Sequence, residues 1–260
     1  MGRIIAVISG KGGVGKTTTA INLGAALNKL NKEVIIVDAN LNTPNIGIHL
    51  GAPIVPVTFN HVLKGKADIS EAIYEHSSGT KIVPSSLSVK EITNFNTKRI
   101  PQVIRQLKDR ADFIILDSAA GFSEEAMATL EAGEEIIIVT NPEMPSVTDA
   151  LKAVKVAREM KKEVRGVIVT RHRNQDYEMS LPSIKSMLET QIIGVVPEDV
   201  SVKKALNKRD AVVHTHPKSK ASRKYNEIAL KIIGPSAQKD KKPEGVFSKI
   251  FGFISGEEYT

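Results

Sequence analysis

Seven short runs rich in β-branched residues recur along the chain: Arg3 to Ser9, Glu33 to Asp38, Lys81 to Pro84, Asp112 to Asp117, Glu135 to Thr140, Arg165 to Thr170 and Gln191 to Pro197. Segments such as IIAVI, VIIV, FIIL and EIIIV within them do not alternate apolar with polar, so both faces of each strand are expected to be buried. The segments that follow, Thr17 to Leu30 and Thr148 to Met160 among them, space their apolar residues as helices do. Repeated strand and helix units of this kind assemble as an α/β fold. The expectation is a doubly wound, mostly parallel sheet of about seven or eight strands flanked by helices. At 260 residues, 41% of them apolar and 25% charged, the chain has the composition of an ordinary globular protein and enough length for a substantial core.

The first strand runs into GKGGVGKTT, Gly10 to Thr18, and then into a helical pattern that starts near Lys16. This matches the template G-x-x-x-x-G-K-[ST] in the strand, loop and helix context that it requires. Gly10, Gly12, Gly13 and Gly15 let the backbone approach a polyphosphate and, with Val14, aim successive N–H groups at it. Lys16 can reach the β and γ phosphates, Thr17 can ligate Mg²⁺, and Thr18 completes the cradle. A nucleoside triphosphate with Mg²⁺ is therefore the expected ligand. Asp38 and Asp117 end two of the apolar runs, at the strand tips where open α/β sheets bind their ligands.

Lys11 is not part of that generic template. With it, the loop K-G-G-V-G-K-T resembles the MinD/ParA family of deviant Walker A P-loop ATPases. The resemblance implies an ATP-bound homodimer in which Lys11 reaches the partner's nucleotide, much as an arginine finger supplied in trans stabilises a transferring phosphoryl group. It also implies that Asp117, opening DSAAG, holds Mg²⁺ through water, although Ala119 stands where the family usually has Pro. Asp38-Ala39-Asn40 is similar to the family's D-x-D stretch, with Asn40 in place of the second Asp that helps to organise the attacking water. Asn40 accepts a hydrogen bond but carries no charge and takes no proton. The catalytic set implied is Lys11, Lys16, Asp38 and Asn40, and the enzyme expected is a slow, partner-stimulated ATP hydrolase.

The resemblance continues through VTNPEMPSVTDA, VIVTRHRN and IIGVVPEDVSVKKALN, which look like the MinD branch of the family. It implies that Thr170 and Arg171, together with Pro197, Glu198 and Asp199, surround the adenine. With no cysteine, the chain has no thiolate to hold zinc or an iron–sulfur cluster, which argues against the iron–sulfur members of the superfamily.

After residue 233 the composition changes. PSAQKDKKPEG reads as a flexible linker, so the expected organisation is an ATPase domain over 1–233, a linker over 234–245 and an amphipathic helix over 246–256. At about 100° per residue, Val246, Phe247, Ile250, Phe251, Phe253 and Ile254 fall within about 160° of a helical wheel, and Lys249 lies on the other face. Such a helix suits the boundary of an anionic membrane, with the linker lysines meeting headgroups. The segment also resembles the family's membrane-targeting sequence. No stretch approaches the roughly 18 to 20 apolar residues of a spanning helix. The expected location is cytoplasmic and reversibly peripheral, at the inner face of the cell membrane.

The expected role is to position cell division or a related apparatus with an unidentified activator or cargo protein. Two alternatives share the loop. One is a ParA-like partitioning ATPase that binds nonspecific DNA through the basic run from Lys203 to Lys231, consistent with a net charge of +7. The other is a positioning ATPase for polar motility or chemosensory machinery.

Overall fold

The computed structural model describes residues 1–91 and 95–234. Among them the strands are β1 (Arg3–Ser9), β2 (Val34–Ala39), β3 (Tyr74–Glu75), β4 (Lys81–Val83), β5 (Phe113–Ala120), β6 (Glu135–Thr140), β7 (Glu163–His172) and β8 (Ile192–Pro197). They form one sheet in the order β3, β4, β2, β5, β1, β6, β7, β8. Every neighbouring pair is parallel except β3 with β4. The seven expected runs are all strands. The eighth, β3, has only two residues and is too short to show a pattern in sequence.

The α-helices among the described residues are α1 (Lys16–Lys29), α2 (Ile46–His49), α3 (Phe59–Leu63), α4 (Ile100–Arg105), α5 (Glu124–Ala132), α6 (Met144–Glu159), α7 (Leu181–Leu188), α8 (Val200–Asn207), α9 (Val212–Thr215) and α10 (Lys220–Ile233). Alternate residues of each strand serve opposite layers, which is why the apolar runs are continuous. Ile4, Ala6 and Ile8 of β1 pack with α3 to α7, whereas Ile5 and Val7 pack with α1, α9 and α10. Both faces of the sheet are covered, as a parallel sheet requires.

Two features of this frame place the site. β1 lies between β5 and β6, so the chain's first crossover, through α1 to β2, leaves from the middle of the sheet. Gly15 precedes α1 at φ +87°, no side chain caps that helix, and its first turn carries no acidic residue. Its free N–H groups and positive dipole end are thus left for an anion. The proposed linker beyond Gly234 and the residues Val246, Phe247, Lys249, Ile250, Phe251, Phe253 and Ile254 lie outside the described residues.

Candidate functional site, a phosphate-binding loop over paired carboxylates

The loop from Gly10 to Gly15 is held from three sides. A methyl group on Gly10 would stand 2.3 Å from the backbone oxygen of Asp149, so only glycine allows α6 to pack this closely. Gly13 and Gly15 have φ of +80° and +87°, the left-handed region that disfavours side chains. Ser9 Oγ donates to the Lys11 carbonyl at 2.9 Å. The Lys11 side chain is exposed.

Beneath the loop, Lys16 Nζ donates to Asp117 Oδ1 at 2.8 Å and Thr17 Oγ1 donates to Asp117 Oδ2 at 2.6 Å. Hydroxyl and carboxylate side by side form the hard oxygen donor set that Mg²⁺ favours, so these two residues fit the ion. Asp38 lies opposite Asp117 in the β2 and β5 register, and both are fully buried. Burial, followed by the neighbouring Asp117 charge, pushes the Asp38 carboxyl up to about 7. The Ile46 and Asn45 N–H groups, which both donate to Oδ2, and then the Lys16 charge partly counter this, while the Asn40 N–H donates to Oδ1. Asp38 therefore folds the following turn back on itself.

Asn40 faces the cavity and is held by that turn through one of its two N–H donors and one acceptor position. Its Nδ2 donates to the Thr43 carbonyl at 2.6 Å, and its Oδ1 accepts from Thr43 Oγ1 at 2.9 Å. On the other side of the loop, Gly121 donates its N–H to the Ser9 carbonyl, so the DSAAG segment is tied to the end of β1.

A cavity of about 540 Å³ runs over the loop, and its lining includes Gly12, Gly13, Gly15, Lys16, Thr17, Thr18, Asn40 and Arg171. Thr170 is turned away from it. Its hydroxyl is buried, 2.5 Å from the Val14 carbonyl and 2.9 Å from Asn141 Oδ1, where it braces the loop from behind. Pro197, Glu198 and Asp199 are not part of the lining. Glu198 meets Arg173, and the Asp199 carboxylate caps α8 at Ser201 N and also accepts from Ala221 N of α10. At that end the wall is formed instead by Lys203, Leu206, Asp210 and Val212, with His49 and Asn22 on other sides. These residues follow no spacing rule in sequence. Asn22 alone has a local mark, a polar residue one turn after Thr18 on the buried side of α1, where it donates to Thr18 O and accepts from Val213 N.

A family model described as ParA, NUBPL iron-transfer P-loop NTPase, matches residues 1–233. An uncharacterised ATP-binding protein of Methanocaldococcus jannaschii is 38% identical, over 97% of this chain and 95% of its own length. The septum site-determining protein MinD of Thermotoga maritima is 32% identical, over 90% of this chain and 89% of its own. The solved structure of Pyrococcus horikoshii MinD complexed with Mg-ADP superposes with a TM-score of 0.89 at 31% identity, covering 93% of this chain and all of that one. The glycine loop, the Lys16–Asp117 pair and the matched length together identify the chain as a member of the ParA/MinD family of P-loop NTPases.

Proposed function

We propose that the chain is a slow ATP hydrolase whose ATP-bound form pairs with a second copy. The pair attaches to an anionic membrane through the C-terminal segments and positions the division apparatus or a related structure. The observation that carries this reading is the meeting of Lys16, Thr17 and Asp117 beneath a glycine loop at an uncapped helix N-terminus. Loop N–H groups and Lys16 hold the phosphates, drawing Lys16 from Asp117 onto the β and γ oxygens. Thr17 and Asp117 would hold Mg²⁺, which neutralises charge on those oxygens when bound. Asn40 orients a water whose oxygen bonds to the γ-phosphorus as the bond to the ADP oxygen breaks. With no negative charge at Asn40 that step is slow. Lys11, exposed in the loop, would supply a cation to a facing copy's phosphates.

Support for the membrane step comes from the Phe-rich stripe beyond the linker. A ten-residue amphipathic segment is a marginal single anchor, and two on one dimer gain by effective concentration. Among the described residues no helix is long and apolar enough to cross a membrane. The relatives named septum site-determining proteins support the positioning role. The iron-transfer wording of the family model does not carry over, because the chain has no cysteine to hold iron.

Co-sedimentation of the full chain with anionic liposomes tests the reading. Binding should be stronger with ATP than with ADP and should be lost on deletion of residues 246–254. Equal binding in both nucleotides removes the switch, and unchanged binding after deletion removes the anchor. One observation favours a second reading: Lys203, Lys204, Lys208, Arg209, Lys218 and Lys220 are all exposed. ATP-dependent, salt-sensitive DNA binding without liposome binding would select the nucleic-acid alternative.

A further inference from the structure

Glu125 is the second residue of α5, yet it is only 5% exposed and faces away from its own helix, onto the turn after β2. Its Oε2 accepts the Leu41 N–H at 3.0 Å, and its Oε1 accepts Asn42 Nδ2 at 3.1 Å. The two partners differ. Leu41 is fully buried and its N–H has this carboxylate as acceptor, whereas Asn42 is exposed. Burial pushes the Glu125 carboxyl up while the bonds from Asn42 and Leu41 pull it down.

The base from which Glu125 acts is firmly set. Thr97 Oγ1 donates to the neighbouring Glu124, Ser123 caps the helix at Ala126 N, and Thr129 Oγ1 donates to the Glu125 carbonyl. Asp38 already holds the N–H groups of Asn40, Asn45 and Ile46, so the turn has its fold without Glu125. What Glu125 adds is a link to a different element. α5 begins three residues after Gly121, which is bonded to the loop at Ser9, and Leu41 is one residue after Asn40, which lines the cavity. The Asp117 to Gly121 segment and the cavity-lining Asn40 are therefore joined through one buried carboxylate.

We infer that Glu125 is a positioning residue that couples the segment from Asp117 to Gly121 to the turn carrying Asn40, so that a nucleotide felt by one loop moves the other. The kinetic half of its test rests on the ATPase reading, and the exchange half needs only nucleotide binding.

Hydrogen exchange of the full chain, with and without Mg-ADP, decides the matter on wild type, Glu125→Gln and Asn42→Ala. In wild type, ADP should slow exchange over 40–46 and over 121–130 together. Glu125→Gln turns an amide NH₂ toward one of its two donors. It should keep protection over 121–130 and lose about tenfold of it over 40–46, the size of one hydrogen bond. Asn42→Ala removes one arm and no buried group, so it should show the same pattern at lower amplitude and serves if Glu125→Gln fails to fold. In steady state, Glu125→Gln should lower kcat about tenfold with KM for ATP within about twofold, since the phosphate contacts are untouched. Wild-type protection of both segments in both variants overturns the coupling. A wild type that binds ADP but hydrolyses no ATP overturns the ATPase reading and leaves the exchange result to decide this one.

Discussion

Lys16 Nζ and Asp117 Oδ1 stand 2.8 Å apart with side chains 8% and 0% exposed, and Asp38 is the next residue across the sheet from Asp117. A single ammonium thus serves two buried carboxylates. Removing it leaves both without their cation, and breaking a buried pair by deleting one partner costs about 3 to 5 kcal/mol. Lys16→Met should lower the urea unfolding free energy by that amount at pH 8 and abolish ADP binding. A variant as stable as wild type would show that the pair contributes nothing to the fold.

Asp38 gives the molecule a pH dependence whose sign is set by the direction of its shift. Its carboxyl is raised to about 7 by burial and Asp117, above the value of about 4 in an unfolded chain, so the folded state binds the proton more tightly. The associated stability is fully present below about pH 4 and is lost as the pH rises through about 7. Urea midpoints of wild type should therefore fall across this window more steeply than those of Asp38→Asn, which cannot titrate. Parallel profiles would assign the slope to other groups.

Two glycines of one loop should behave oppositely. A methyl group on Gly10 meets the Asp149 backbone at 2.3 Å, whereas on Gly12 its nearest contact is Ala120 Cβ at 3.9 Å. Gly10→Ala forces α6 away and should cost about 1 to 3 kcal/mol of stability. Gly12→Ala should unfold at the wild-type midpoint, and any loss of ADP affinity would come from the phosphate's approach alone. Thermal melts of the two variants separate these cases, and equal melting temperatures would refute the close approach to α6.

How much of this was legible in sequence depends on whether a residue's partner lies nearby in the chain or across the fold. The loop glycines, Lys16 and Thr17 are read by spacing because they share one strand, loop and helix. The continuous apolar runs reveal a sheet covered on both sides for the same local reason. Glu125 leaves no such mark: its partner is 84 positions away, and in sequence it is one of two acids opening a helix. The cavity wall at Lys203, Leu206 and Asp210 is also invisible, since α8 and the turn after it are brought to the site by packing on α9, which in turn packs on α1. Resemblance pointed instead to Pro197 through Asp199, whose acidic side chains are engaged in an ion pair and a helix cap.

Thr170 shows how a residue beside the site can serve it from behind. Its hydroxyl approaches the Val14 carbonyl and Asn141 Oδ1 closely, and all three are buried. Thr170→Val keeps the shape and leaves the Val14 carbonyl without that donor, at about 1 to 3 kcal/mol. Part of this should appear as looser nucleotide binding, so ADP affinity by calorimetry should fall about tenfold, with the β and α elements intact by circular dichroism. Undiminished affinity would mean that the loop keeps its shape without the brace.

Asn40→Asp tests the slow turnover. The Asn40 amide now clasps both the carbonyl and the hydroxyl of Thr43. An aspartate can keep the hydroxyl, but it would set a carboxylate against a carbonyl oxygen at the 2.6 Å contact, so this arm of the clasp must open. The freed carboxylate would then face the cavity with the charge and basicity that an amide lacks, at the turn that Asp38 and Glu125 still hold. Turnover should rise above wild type, by about 10-fold or more if the carboxylate orients or deprotonates the attacking water. The thermal midpoint should drop slightly for the lost bond. A wild type that turns over ATP faster than Asn40→Asp would show that the clasped amide is the better arrangement for this chain, and the reason for its slowness would have to lie elsewhere.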